Sequence, residues 1–197
     1  MGKKTVALNK EQYIRLIEVI RMGNFHYVSN DGKVRLAQSN ERIAFALSIE
    51  ANLGIRIGDV LDMERDSIIK DGDRYRLDII EKKTGKKREF TVHDDFYKYF
   101  NDYCDKNCIA KGQKIFEISE RAVQKHLAHA CQYLGLEKVS THSLRKFYAT
   151  SIYKNSNCNI ELVRMLLQHA NSGITQKYIG ISQKEVEEAI EKHNIIV

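Results

Sequence analysis

His142 and Arg145 stand three residues apart in "THSLRKFYATSIY", which runs from Thr141 to Tyr153. That spacing sets two side chains on one face of a helix. An imidazole that titrates near neutral pH, beside a planar fork of donors, suits a negatively charged oxygen. Leu144, Phe147, Tyr148 and Ile152 can supply the buried face of such a helix. Arg56 offers a second fork in "LGIRIGDVL". Gly54 permits a sharp turn there, and Ile55 and Ile57 can anchor it, so the arginine is held on a short leash. His169 ends the apolar run "IELVRMLLQHA", and Tyr178 follows nine residues later, across "NSGIT". Ser172 and Gly173 allow a reversal, so imidazole and phenol can converge. A phenol of pKa about 10 needs a neighbouring base or cations before it can act as a nucleophile. Lys83 lies in the basic turn "KKTGKK".

Each of these residues also has a plainer reading. Arg56 can pair with Asp59, three residues on. His142 and Arg145 can be the polar start of an amphipathic helix. His169 can meet a helix dipole while Tyr178 plugs the core. Lys83 can be a solvated turn residue.

The elements that must position these groups are mostly helical. Asn9 opens "NKEQYIRLIEVIRMG" with Gln12 three residues later, a capping-box start, and Gly23 marks the stop. Residues 24–38 read as a loop. An Ala-, Leu- and Ile-rich buried helix is expected over 39–52, ended by Gly54, with a short helix over 57–63. "SIIK", "RYRLDIIE" and "KREFTV" predict a small antiparallel sheet over 67–92, with "KKTGKK" as its hairpin turn. Further helices are expected over 94–108, 119–134, 141–155, 159–168, 172–179 and 182–193. Ser119, Asn159 and Ser182 are plausible N-caps, and Ser182 with Glu185 makes a second capping box. The fold class is therefore mainly α with a small antiparallel sheet.

The chain has 197 residues, of which 43% are hydrophobic, enough for a real core. Lys+Arg outnumber Asp+Glu by 32 to 26, a formal net charge of +6, which favours an anionic partner such as nucleic acid. Proline is absent and no repeat or long linker divides the chain. Cys104, Cys108, Cys131 and Cys158 are irregularly spaced and form no pair of CxxC motifs, so no metal site is expected. His126 and His129 read as helix-surface and packing residues. "MGKKTVALNK" lacks the apolar segment of a secretion signal, and no apolar run is long enough to span a bilayer. The expectation is a soluble, reduced, cytoplasmic protein without a membrane partner.

Taken in chain order, the six groups read Arg, Lys, His-x-x-Arg, His, Tyr. The sequence resembles the catalytic domain of the tyrosine recombinases, the phage-integrase type of site-specific DNA recombinase. "LGIRIGDVLDM" resembles the first-arginine box, with Arg56 as catalytic arginine and Asp59 as its supporting acid. "EKKTGKKREFTV" resembles the hairpin bearing the family lysine, best matched by Lys83. "THSLRKFYAT" matches the His-x-x-Arg box, and "MLLQHANSGITQKYI" the last box, with Tyr178 as nucleophile. The resemblance covers about residues 8–180. Two departures stand out: Gln168 occupies a position usually held by Gly, and the separate N-terminal helical domain of most members is not apparent. The expectation is one catalytic domain over 1–197.

The resemblance implies the chemistry. Tyr178 attacks phosphorus, giving a 3′-phosphotyrosyl intermediate and a free 5′-hydroxyl. Arg56 and Arg145 grip the non-bridging oxygens, His142 and His169 donate hydrogen bonds or exchange protons, and Lys83 protonates the leaving oxygen. Cationic side chains supply what ions supply elsewhere, so no metal, ATP or other cofactor is expected. The partner is double-stranded DNA, held through its backbone by candidates Lys82, Lys86, Lys87, Arg88 and Lys146. In the tail, Val186, Ala189 and Ile190 share a helical face. That helix can dock on a neighbouring protomer, giving self-association on DNA, or fold back on its own domain. The alternatives are a strand-nicking enzyme of the type IB topoisomerase kind and a non-catalytic DNA-binding accessory protein.

Overall fold

The computed structural model describes residues 5–179. Eight α-helices occupy these residues: α1 (Lys10–Met22), α2 (Glu41–Leu53), α3 (Ile57–Leu61), α4 (Asp94–Lys106), α5 (Glu120–Leu134), α6 (Thr141–Asn155), α7 (Ile160–Leu167) and α8 (Ser172–Ile179). The mainly helical class expected from the sequence holds. The start signals act as read: Asn9 and Gln12 close a capping box on α1, and Ser119 and Asn159 cap α5 and α7. The helix expected over 182–193, with its Ser182–Glu185 capping box, lies outside the described residues.

Residues 24–38 are not a plain loop. Strands β1 (Phe25–Val28) and β2 (Val34–Ala37) pair antiparallel there. The turn signal is "SNDGK": Gly32 takes φ 76°, and the Ser29 amide donates to the Lys33 carbonyl at 2.9 Å. Hydrophobic alternation does not announce this hairpin because Val28, Val34 and Leu36 are all exposed; the buried residues, Phe25 and Ala37, face each other at its base. Among the described residues there are thus two small sheets rather than one.

The second sheet is the expected one. Strands β3 (Ile68–Asp71), β4 (Arg74–Ile80) and β5 (Lys87–Val92) lie in the order β3-β4-β5, all antiparallel. Pairing of Ile80 with Lys87 leaves residues 81–86 as a turn beyond the ladder. The Glu81 amide donates to the Lys86 carbonyl at 2.9 Å, and the Gly85 amide to the Glu81 carbonyl at 2.8 Å. Gly85 holds φ 64°, a conformation that suits glycine in such a turn.

The chain divides into two compact units, the first ending at Tyr148 and the second beginning at Ala149, inside α6. In the first unit α2 forms the centre of the core. Phe45 is fully buried and stacks on Tyr103, with ring centroids 3.7 Å apart. The helix ends at Gly54, which is left-handed at φ 60° and whose amide donates to the Glu50 carbonyl at 3.0 Å. A Cβ at this position would lie 2.2 Å from Cδ1 of Tyr148. Gly54→Ala therefore meets both an unfavourable φ and an aromatic wall. It should lower unfolding stability in urea by roughly 2–4 kcal/mol.

In the second unit α7 buries Val163 and Leu167. It ends at Gln168, which is left-handed at φ 54° and ψ 37°. That is the left-handed cap conformation that glycine favours. The Asn171 side chain then accepts from the Ile174 amide at 3.0 Å, starting α8.

Candidate active site

Arg145 is 2% exposed, and its Nη1 donates to the Gly54 carbonyl at 2.5 Å. The glycine turn that ends α2 thus holds the guanidinium from behind. Glu50, one turn earlier on α2, is fully buried. Burial pushes its carboxyl well above the usual carboxylate range, and the nearby Arg145 charge only partly offsets this. A raised folded pKa means stability present at low pH is lost as pH rises from the carboxyl's ordinary value up through its raised folded value. Glu50→Gln should accordingly match the natural protein in thermal stability near pH 4 and exceed it near pH 7, as a melting series across pH would show.

Arg56 caps α3 with extended backbone. The sequence pairs it with Asp59, but the nearer partner is Glu81. Arg56 Nη1 donates to Glu81 Oε2 at 2.7 Å, while Asp59 Oδ2 stands 4.0 Å away. Asp59 instead accepts the Lys82 amide on Oδ1 at 2.9 Å. Glu81 is 1% exposed. Burial alone would raise its pKa; the Thr84 hydroxyl and the Arg56 and Arg88 guanidiniums outweigh that and hold it below the ordinary value.

Arg88 corrects an expectation. It was assigned to the DNA-facing surface of the hairpin, yet it is 1% exposed, with Nε 3.6 Å from Glu81 Oε1. Burial, together with the Arg145 charge, lowers its pKa to about 10. The alternation of "KREFTV" carries the signal: Arg88 shares a strand face with Phe90 and buried Val92. Glu81 likewise continues the face of Leu77 and Ile79 on β4. Both were readable as inward-pointing charges.

His142 reaches solvent, but its ring is partly desolvated. Burial and then the charges of Arg145, Arg56, Lys83 and Lys146 lower its pKa. Four cations from the cap of α3, the β4–β5 turn and α6 thus act on one imidazole. Lys83 itself is exposed on the turn. The first unit therefore gathers Arg56, Lys83, His142 and Arg145. Their floor holds three guanidiniums, those of Arg56, Arg88 and Arg145, and three buried carboxyl groups, those of Asp59, Glu81 and Glu50.

The second unit gathers the other pair. His169 is half-buried, its Nδ1 3.0 Å from the hydroxyl of buried Thr175. Its ring meets that of Tyr178 edge-on, with centroids 5.1 Å apart and planes at 75°. The convergence of imidazole and phenol expected across "NSGIT" is present, and Thr175 is a ring-orienting partner that the sequence did not single out.

Among the remaining DNA-contact candidates, Lys82, Lys86 and Lys87 are exposed. Lys82 pairs with Asp62, and Lys87 Nζ lies 2.9 Å from Glu89 and 3.3 Å from Asp78. Lys146 is part-buried and donates to the Thr5 carbonyl at 2.6 Å. His129 stacks on Tyr27 at 3.7 Å between centroids, and His126 meets Phe25 edge-on, so both are packing residues. Cys131 is buried, which pushes its thiol up to about 12. Among the described residues, no His, Cys, Asp and Glu side chains group as metal ligands, and no helix is long and apolar enough to cross a membrane.

A histidine that feels the charge of four cations, two of them guanidiniums tethered to the Gly54 carbonyl and to Glu81, is a centre able to hold a phosphate-like oxyanion in one place. The chain belongs to the phage integrase family, whose model matches residues 8–185. It is 30% identical over 160 residues to the probable integrase/recombinase YoeC of Bacillus subtilis strain 168, covering 77% of this chain and 84% of that protein. It is 29% identical over 166 residues to tyrosine recombinase XerC of Caldanaerobacter subterraneus subsp. tengcongensis, covering 78% of this chain. That match spans only 45% of XerC, less than half its length. Among solved structures, the fold is similar to the catalytic domain of bacteriophage HP1 integrase, with a TM-score of 0.60 at 15% identity over 96% of this chain and 95% of that one. It is also similar to XerH recombinase in its pre-cleavage complex with difH, with a TM-score of 0.67 at 19% identity, over 96% of this chain and 55% of that one.

Proposed function

We propose that the chain is a site-specific DNA recombinase acting in the cytoplasm, with both compact units serving as one catalytic domain. Tyr178 attacks a backbone phosphorus, its oxygen bonds to phosphorus, and the bond to the 5′ oxygen breaks. The products are a 3′-phosphotyrosyl link and a 5′-hydroxyl. Arg56 and Arg145 neutralise the non-bridging oxygens in the transition state, and His142 donates a hydrogen bond to them. His169 assists removal of the tyrosine proton, and Lys83 delivers a proton to the leaving oxygen. The phosphotyrosyl bond conserves the energy of the phosphodiester, so a 5′-hydroxyl from another strand can reverse the step.

The observation that most supports this reading is the positive field that Arg145, Arg56, Lys83 and Lys146 set at His142, with Arg145 tethered to the Gly54 carbonyl and Arg56 to Glu81. A positive focus of that kind repels a cation and invites a dianionic transition state. The relatives named recombinases support the same reading. Double-stranded DNA is the substrate, held through phosphate contacts by Lys82, Lys86 and Lys87 in a salt-dependent manner. Self-association on DNA through the tail is part of the proposal.

The test is covalent capture. The protein is incubated with a random-sequence duplex pool in which sulfur replaces the bridging 5′ oxygen, so that cleavage does not reverse. Adducts surviving denaturant are recovered and sequenced. A shared motif supports the recombinase reading. Adducts without sequence preference, together with relaxation of any supercoiled plasmid, point to a topoisomerase-like enzyme. Binding without adducts points to an accessory protein.

A further inference from the structure

We propose that Glu81 is a positioning residue that couples the placement of Arg56 to that of Lys83. The inference rests on the recombinase reading above for the roles of those two cations, and on geometry for the coupling.

Glu81 is the first residue of the turn that carries Lys83. Its Oε2 accepts from Arg56 Nη1 at 2.7 Å and from Thr84 Oγ1 at 2.7 Å. Its Oε1 lies 3.6 Å from Arg88 Nε, on the opposite strand of the hairpin. Its own backbone closes the turn, through the Lys86 carbonyl at 2.9 Å and the Gly85 amide at 2.8 Å. One buried carboxylate therefore touches the cap of α3, the middle of the turn and the far strand. Asp59 supplies a second strut between the same parts, accepting the Lys82 amide at 2.9 Å. Lys83 sits between these ties, the Lys82 amide on one side and the Thr84 hydroxyl on the other, with its own side chain exposed.

A stability role alone does not account for this arrangement. A buried ion pair gains little over well-packed apolar residues, because both charges must be stripped of water. Fixed orientation is what such a pair can supply. Two parts of the reaction sit at its two ends: the fork that holds the phosphate, and the acid that protonates the leaving oxygen. If Arg56 shifts, the turn shifts with it, and the acid stays in register with the phosphate it serves.

Two measurements test the coupling. The first uses DNA of the captured sequence, made with either oxygen or sulfur at the bridging 5′ position. A thiolate leaves without being protonated, so a sulfur substrate does not need Lys83. Glu81→Gln should slow single-turnover cleavage of ordinary DNA by roughly 100-fold or more, and cleavage of the sulfur substrate by about ten times less. Equal losses on both substrates would overturn the coupling to Lys83, and a general loss of folding would produce equal losses too. The second measurement is hydrogen exchange without DNA. Coupling is reciprocal, so Arg56→Ala, like Glu81→Gln, should speed exchange of the Lys82, Gly85 and Lys86 amides relative to those of α2. Unchanged exchange at these amides in Arg56→Ala overturns the proposal. If the natural protein forms no adduct with any DNA, the recombinase reading falls, and the exchange experiment alone decides whether Glu81 couples the two elements.

Discussion

Tyr178→Phe should abolish the denaturant-resistant protein–DNA adduct and leave non-covalent DNA binding intact. The substitution removes one oxygen and keeps the ring whose edge-on contact with His169 has centroids 5.1 Å apart. α8 should therefore retain its packing, and the change isolates the nucleophile. Loss of a covalent nucleophile is not partial: the remaining groups can hold the phosphate but have nothing to bond to it. The measurement is a denaturing gel with end-labelled suicide DNA, backed by mass spectrometry of the nucleotide-bearing peptide. An adduct that persists in the phenylalanine variant moves the nucleophile to another residue, and the peptide would say which.

Arg145→Ala is expected to have the next largest effect. Removing one preorganised donor from an oxyanion site costs about 100- to 1000-fold in rate. Arg145→Lys should recover little, since an ammonium keeps the charge without the fork that can hold the Gly54 carbonyl and a phosphate oxygen together. Two further consequences separate electrostatics from simple damage. His142 loses the strongest of the cations that depress its pKa, so its imidazole should titrate at higher pH in Arg145→Ala, as NMR of the ring protons would show. Glu50 loses the charge that offsets its burial, so the pKa of its carboxyl should rise further. A slow enzyme with an unchanged His142 titration would mean that the positive focus is not built around Arg145.

The helices were accessible from the chain because their signals are local. Asn9 and Gln12 close α1, glycine stops α1 and α2, and the "KKTGKK" turn needs only its neighbours to form. The six candidate groups were legible for a similar reason: each sits in a short box whose spacing can be read by itself. What joins the boxes was less accessible. Glu81 lies 25 residues from Arg56 in sequence, and only the fold makes it the nearer partner than Asp59. Glu50 sits in a run otherwise dominated by apolar residues, where the helical pattern gives no reason to single out one carboxylate. Arg88 was misplaced because a basic turn invites the assumption that all its charges face water. Strand alternation, applied strictly, would have turned it inward. The β1–β2 hairpin was missed because Val28, Val34 and Leu36 are on the outside, where no period-2 rule marks a buried face.

The tether of Arg145 bears on how such a site persists through divergence. Its acceptor is a main-chain oxygen, which every amino acid carries, so no substitution at residue 54 can delete the atom itself. Selection can act on that atom only indirectly, by preserving the left-handed turn and the space beside Tyr148 that place it. Across descendants the interaction would be recorded as a glycine, a residue without a side chain, while the contribution inherited is an oxygen's position.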